Sequence, residues 1–422
     1  VSRAPLRFST APLTVTQGPA NSLASTFGPN AQLLPALGAT PADTLATVPA
    51  LWGWRRELWR APAPGMATIA GVPVFPVQRL HPGATLGSEG VCALHFRMQG
   101  QALEVLLAGA PASITLLADG EVLAGGFFRT ARAAGVPGAP LNAPNSFVRI
   151  DFGSAAPRQL SLYARSAQGP CALAVAADDS VQAWDRSAEA TMAGMADSYG
   201  GYAGVLWAEG GPLWEAAARL GIPHLDLSAV GGTGYAPNSA PGFGNPGDAF
   251  AARLPSLTAS RPDLVITAGG INDNNSLALP PYATAEAARQ GFEAATHNYY
   301  SRLREALPEA LLVAVGPWAP RESVPPDAVA LSKADAIAAA LAAAGGPWVF
   351  LDNLRGGWRC SSGASATGTG PWQTGTGRVG APTGVGNGDT FVDRDGTHPT
   401  VAGVLHLGER IAEGVRAALA TL

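Results

Sequence analysis

Ser198, Asn272 and His398 are residue types that together can move an acyl group, and each stands in a short motif suited to projecting a side chain from a loop. In chain order the motifs are Ala196-Asp197-Ser198, Gly231-Gly232, Gly270-Ile271-Asn272-Asp273 and Asp395-Gly396-Thr397-His398-Pro399. Serine is a weak nucleophile until a neighbouring base takes its proton. His398 can be that base, with Asp395 three residues earlier to orient the ring and stabilise the imidazolium. The anionic tetrahedral intermediate of acyl transfer needs preorganised donors. The backbone N–H groups of Ser198 and Gly232 and the side-chain amide of Asn272 would supply them. No metal or organic cofactor is required by this set.

Taken singly, these motifs have plainer readings. Asp-Ser is usually a turn or a helix cap, and Gly-x-Asn-Asp a loop. Their common order is what points to serine chemistry. Asp197 and Asp273 read as carboxylates that hold loop amides rather than act on substrate. Asp393 is a rival to Asp395 but stands five residues from His398, a poorer spacing. His81, His95, His224 and His297 fit no constellation, and His406 reads as a packing or surface residue on the following helix.

On these motifs residues 188–422 resemble the SGNH/GDSL hydrolase superfamily, whose four blocks carry Ser, Gly, Asn and His. Its third block reads Gly-x-Asn-Asp and its last Asp-x-x-His-Pro, both matched here. The second block is a lone loop glycine, best matched by Gly232, with Gly231 as the fallback. The first usually reads Gly-Asp-Ser, and Ala196 departs from it. Alanine is costly there if the position needs a positive φ and harmless if it needs only a small side chain; the second reading is preferred. The resemblance implies a three-layer α/β/α domain with a parallel sheet.

The elements that must position these residues follow from the hydrophobic pattern. After Asp178–Asp185, strand and helix patterns alternate, which predicts a parallel sheet with helices on both faces. Strands are expected at Ala190–Met195, His224–Leu227, Asp263–Thr267, Leu311–Val315 and Trp348–Leu351. Helices are expected at Gly204–Leu220, Thr284–Ala306, Ala328–Ala344 and Val401–Ala418, with Gly221 ending the first and Thr400 capping the last. In such sheets ligands sit at the carboxyl ends of the strands, where all four motifs fall. The segment Arg355–Asp389, rich in Gly, Ser and Thr, reads as a loop on the rim of the site. Its Trp372 and Trp358 are candidate substrate contacts; flexible decoration is the competing reading.

Upstream, residues 51–185 carry short apolar runs with turn signals such as Asp119-Gly120, the pattern of a β-sandwich. Residues 1–50, rich in Pro, Ala, Thr and Ser, read as an extended arm, and Trp52, Trp54 and Trp59 as packing residues. The expected organisation is thus an arm at 1–50, a jelly-roll-like sandwich at 51–185 and the hydrolase-like domain at 186–422. This layout is similar to that of two-domain bacterial carbohydrate acetyl esterases. The likeness implies removal of acetyl or other small acyl groups from a polysaccharide. Acyl transfer to a glycan, hydrolysis of lipid or aryl esters, and a glycan-binding module on an inactive hydrolase are the alternatives; the intact Ser198, Asn272 and His398 weigh against the last.

Composition sets the outer bounds. A hydrophobic content of 47% with 14% charged residues suits a globular chain with a large core, and no apolar run is long enough to span a membrane. The net charge of −4 argues against a nucleic-acid surface. Lys333 is the lone lysine, read as compositional drift. The three cysteines, Cys92, Cys171 and Cys360, leave at least one free thiol, and a Cys92–Cys171 disulfide fits the first domain. No signal peptide is visible; with polymer substrates common in the family, a secreted or periplasmic location is expected. Oligomeric state is not legible.

Overall fold

The computed structural model describes residues 7–9, 14–17, 32–35, 68–69, 72–78, 91–107, 112–119, 121–129, 139–140, 146–166, 170–176, 178–183, 189–201, 211–222, 224–237, 249–258, 261–274, 282–318, 324–363, 365–366 and 370–422. The chain divides into two compact units, with the main boundary between Glu189 and Ala190.

The described elements of the first unit are all strands. Short strands β1 (Arg7–Ser9), β2 (Thr14–Gln17), β3 (Gln32–Pro35), β4 (Thr68–Ile69) and β5 (Val72–Gln78) precede the long β6 (Val91–Leu107). β7 (Ala112–Ala118), β8 (Glu121–Arg129), β9 (Ala139–Pro140), β10 (Ser146–Ser166), β11 (Pro170–Val175) and β12 (Ser180–Ala183) follow. β6 and β10 form an antiparallel ribbon whose register shifts between Asp151 and Ala156. One half of β10 takes β2 as its other neighbour and the other half takes β7. Alternation gives each strand its sidedness: Phe96 and Met98 are buried, while Arg97 and Gln99 between and beside them face solvent. The segment expected to be an arm contributes β1, β2 and β3, which pair with β8, β10 and β11. Trp52, Trp54 and Trp59, and the side chains of Cys92 and Cys171, lie outside the described residues, whereas Cys360 is buried with its Sγ 2.7 Å from Ser362 Oγ.

The second unit is a parallel sheet between two helical layers. β13 (Thr191–Ala196) is flanked by β14 (His224–Ala229) and β15 (Leu264–Ala268); β16 (Leu311–Val315) and β17 (Trp348–Asp352) extend the sheet beyond β15. β15 and β16 are buried at every position, which is why they read as continuous apolar runs rather than alternating ones. The helices, in chain order, are a single turn α1 (Ser198–Gly201), α2 (Pro212–Leu220), α3 (Phe250–Thr258), α4 (Ala285–Ala306), α5 (Ala328–Ala344), the short α6 (Gly388–Phe391) and α7 (Val401–Leu419). Ala193 and Met195 of β13 join Leu254, Tyr299, Tyr300 and Ile337 in one core, so α3, α4 and α5 cover one face. Helices α2 and α7 pack together, and a side chain at Gly194 would strike Leu213 of α2, which places that pair on the other.

Helix ends follow local chemistry. Thr284, Asp327 and Thr400 cap α4, α5 and α7 by accepting from Ala287 N, Ala330 N and Gly403 N. Gly221 closes α2 with φ 73°, a left-handed conformation natural to glycine. Four elements depart from the sequence reading. Helix α2 starts at Pro212, and residues 202–210 lie outside the described residues. Helix α3 went unforeseen because Pro255 sits inside it; burial of Phe250, Leu254 and Leu257 at helical spacing holds it in place. Within the Arg355–Asp389 stretch, β18 (Gly357–Cys360) and β19 (Ser365–Ala366) extend the sheet antiparallel from β17. Among the described residues no helix is long and apolar enough to cross a membrane.

Candidate active site

The four motifs occupy the carboxyl end of the parallel sheet. β13 delivers Ser198 at the start of α1, where the chain turns through Gly200. A side chain at Gly200 would come within 2.2 Å of the Ala196 methyl, so the alanine is accommodated by the glycine four residues on. Ala196 lies in regular strand and is not among the residues with positive φ, so it carries no backbone strain.

His398 Nε2 lies 2.9 Å from Ser198 Oγ, and His398 Nδ1 lies 2.5 Å from Asp395 Oδ2. The two residues face one way because the Asp395-Gly-Thr-His turn is closed on itself. Asp395 Oδ1 accepts from the backbone N–H of Thr397 at 2.8 Å and of His398 at 2.9 Å. Burial pushes the Asp395 carboxyl up, but the bonds from the His398 ring and these two amides outweigh it and hold it below the ordinary carboxylate value. Asp393 donates its backbone N–H to the His398 carbonyl, while Asp395 is the carboxylate hydrogen-bonded to the ring. The Tyr199 hydroxyl, next to Ser198, donates to the Thr397 carbonyl and ties α1 to this turn. His406 stacks on Phe391 instead, and burial lowers its pKa.

The loop after β14 bends at Gly232, whose φ of 75° is readily adopted only by glycine. Val230 N donates to the Ala196 carbonyl, which binds this loop to the strand that carries the serine. Asn272 approaches from the end of β15, and its Nδ2 donates to the Thr233 carbonyl at 3.0 Å, fixing the plane of the amide. Asp273 stitches the two loops together by accepting from Tyr235 N at 3.2 Å and Ala236 N at 2.8 Å. A Cβ at Gly234 would sit 2.2 Å from that carboxylate, so this approach requires glycine. The lone lysine has a place here too: Lys333 Nζ donates to the Gly270 carbonyl at 3.1 Å.

Asp197 is fully buried, with Oδ1 accepting from Tyr199 N at 2.9 Å and Oδ2 without a hydrogen-bond partner among the described residues. Burial pushes its carboxyl up to about 8 and raises that of Asp273 as well. The folded protein therefore keeps protons that the unfolded chain releases. Stability from Asp197 is full below its ordinary value of 3.8 and is lost as pH rises through about 8. The thermal midpoint of the wild type is expected to fall from about pH 4 to about pH 8, and Asp197→Asn to flatten that slope. A wild-type midpoint that climbs over the same range would refute this.

Trp372 is 3% exposed and sets its edge against Tyr199 and Trp318, the latter stacked on Tyr199 at 4.8 Å. Trp358, on β18, is half-buried. The two indoles meet on a cavity of about 220 Å³ lined also by Asn353, Gly370, Leu407 and Arg410. The segment from Trp372 to Asp389 is internally bonded: Asn387 Oδ1 accepts from Thr374 N, its Nδ2 donates to the Trp372 carbonyl, and Asp389 accepts from Thr383 N and Gly384 N.

A family model of GDSL-like lipases and acylhydrolases matches residues 191–404, from the first residue of β13 into α7, and takes in all four motifs. The chain belongs to the GDSL-like lipase/acylhydrolase family. It is therefore an acylhydrolase of the esterase type. No curated protein matches this GDSL-like chain. Among solved structures it is similar to a family two carbohydrate esterase from Clostridium thermocellum, at 16% identity and a TM-score of 0.49, over 83% of this chain and 100% of that one. A family two carbohydrate esterase from Cellvibrio japonicus aligns at 12% identity and a TM-score of 0.49, over 97% and 99%. The salicylyl-acyltransferase SsfX3 from a tetracycline biosynthetic pathway aligns at 17% identity and 0.45, over 78% and 83%.

Two groups at this GDSL-like site escaped the sequence reading. Arg253, 1% exposed on α3, and Lys333 both hold backbone at the motif loops. Each carried a faint signal: a single arginine in the otherwise apolar Phe250–Leu254 run, and the single lysine of a chain with 27 basic residues.

Proposed function

We propose that the protein is a serine esterase that removes acetyl or another small acyl group from a carbohydrate through an acyl-Ser198 intermediate. The observation that carries this reading is the hydrogen-bonded chain Ser198 Oγ–His398–Asp395, at 2.9 and 2.5 Å. His398 Nε2 takes the Ser198 proton as Oγ attacks the ester carbonyl, and Asp395 stabilises the imidazolium that results. The carbonyl oxygen becomes an oxyanion facing Ser198 N–H, Gly232 N–H and the Asn272 amide. Collapse breaks the ester C–O bond, and His398 hands its proton to the departing sugar hydroxyl. Water then enters by the same steps in reverse, with His398 as base, and frees the acid and Ser198. No metal or organic cofactor takes part in this scheme.

The His398 and Asp395 side chains are 20% and 40% exposed. A histidine open to solvent suits an alcohol part too large to be enclosed, as on a polysaccharide. Trp358 and Trp372, around their shared cavity, are the proposed contacts for that part. Export to the medium or periplasm would fit such a substrate.

The test is hydrolysis of p-nitrophenyl acetate, butyrate and octanoate, then acetate release from acetylated polysaccharide, each beside Ser198→Ala. Preference for acetate with loss in the variant supports the reading. Preference for octanoate moves it to lipid esters, and diversion of the acyl group to added sugar without free acid moves it to transfer. Equal rates in both proteins count against the nucleophile and favour a binding module. Asn272→Ala is expected to lower kcat by about 10²–10³ with little change in KM, since the oxyanion exists only after attack. An unchanged kcat would remove Asn272 from the site.

A further inference from the structure

We infer that Arg253 is the positioning residue that sets the oxyanion donors relative to Ser198; the inference rests on the esterase reading above. Its guanidinium is buried and spends both arms on the strand ends that bear the site. Nη1 donates to the Ser228 carbonyl at 2.8 Å and to Ser228 Oγ at 3.0 Å. Nη2 donates to the Ala196 carbonyl at 3.2 Å and to Thr233 Oγ1 at 2.9 Å. Ala196 is the last residue of β13, two before the nucleophile. Thr233 follows Gly232, and its hydroxyl donates to the Val230 carbonyl at 2.7 Å, closing the turn that presents Gly232 N–H. The Thr233 carbonyl is in turn the acceptor that orients Asn272. One planar fork thus joins the serine strand, the glycine turn and, through Thr233, the asparagine.

Burying a guanidinium is unfavourable unless its donors are satisfied, and an apolar side chain of similar volume would pack there at less cost. What the apolar residue lacks is the rigid fork that holds four acceptors, on three residues, in fixed relation. Arg253 touches no reacting atom in this scheme. Its effect passes through donors that matter only once the oxyanion forms, so its loss lowers kcat and leaves KM nearly unchanged.

The experiment compares wild type, Ser198→Ala, Arg253→Met, Arg253→Lys, Thr233→Val, Asn272→Ala and the double variant Arg253→Met/Asn272→Ala on p-nitrophenyl acetate. Thermal midpoints and affinity for a boronic acid that forms a tetrahedral adduct on serine are read on the same proteins. Arg253→Met is expected to lower kcat about 10²-fold, near the loss of one oxyanion donor, and to weaken the boronic acid by a similar factor. Lysine keeps the charge but not the fork and restores only part of the rate. Asn272→Ala should then cost far less in the Arg253→Met background than in the wild type, because the amide is already misplaced. Thr233→Val, which removes a hydroxyl and little volume, should show a smaller loss of the same kind and decides the matter where Arg253→Met does not fold. Independent effects of Arg253 and Asn272, or a kcat unmoved by both Arg253→Met and Thr233→Val, overturn the inference while Ser198→Ala remains inactive. Equal rates for wild type and Ser198→Ala overturn the esterase reading, and this inference with it.

Discussion

Ser198→Ala is expected to lower kcat for ester hydrolysis by a factor on the order of 10⁶, to the level that binding and the oxyanion donors sustain without a nucleophile. The size follows from how the parts depend on one another. Without Oγ, His398 has no proton to take, and Asp395 then stabilises a charge that never forms. His398→Ala should accordingly be about as damaging, and the double variant no worse than either single one. Residual catalysis of roughly 10³–10⁴ over water would remain, from the donors alone. The fold should not suffer, since alanine fits where Ser198 begins a single helical turn and Tyr199 still anchors that turn to Thr397. The check is kcat with active-site titration, together with the mass of the peptide containing Ser198 during turnover. An acyl adduct on that peptide in the wild type alone supports the reading. A variant within tenfold of wild type, at unchanged thermal midpoint, would remove Ser198 as the nucleophile.

The hydrolase-like unit was legible because its strands are short runs buried on both faces and its longer helices are apolar-rich segments with capping residues before them, so local pattern marks them. Residues 328–344 read as a helix and form one at the same bounds, since Asp327 before them caps the first turn. What was not legible depends on partners distant in sequence. Arg253 looks like a surface arginine until β13 and β14 bring Ala196 and Ser228 to it. β18 looks like loop because its ladder bonds come from β17 rather than from any alternation of its own. Ala196 reads as a harmless departure in the first motif, but the reason lies in Gly200, the residue whose absent side chain makes room for the methyl. The packing of Trp372 beside Tyr199 is likewise set from a distance, by Trp318 arriving from the end of β16.

Asp395→Asn should lower kcat by about 10⁴, although Asp395 is the most exposed member of the chain that runs back to Ser198. Solvent screens its charge, so the loss of charge alone would cost less. The tautomer is what the substitution disturbs. Asp395 Oδ1 accepts two backbone N–H groups, from Thr397 and His398, and only an oxygen can occupy that position. An asparagine at 395 therefore places its carbonyl oxygen there and its NH₂ against His398 Nδ1. The ring must then accept at Nδ1 and carry its proton on Nε2, pointing it at Ser198 Oγ, where a base is required. Asp395→Ala removes the carboxylate without imposing the wrong tautomer. The site is open enough for a small anion to enter, so added formate is expected to restore part of the rate to Asp395→Ala and none to Asp395→Asn. KM for p-nitrophenyl acetate should stay near that of the wild type in both, because ground-state binding does not use the imidazolium. Equal losses in the two variants, with no response to formate, would mean that Asp395 only braces the turn and that His398 finds its orientation elsewhere.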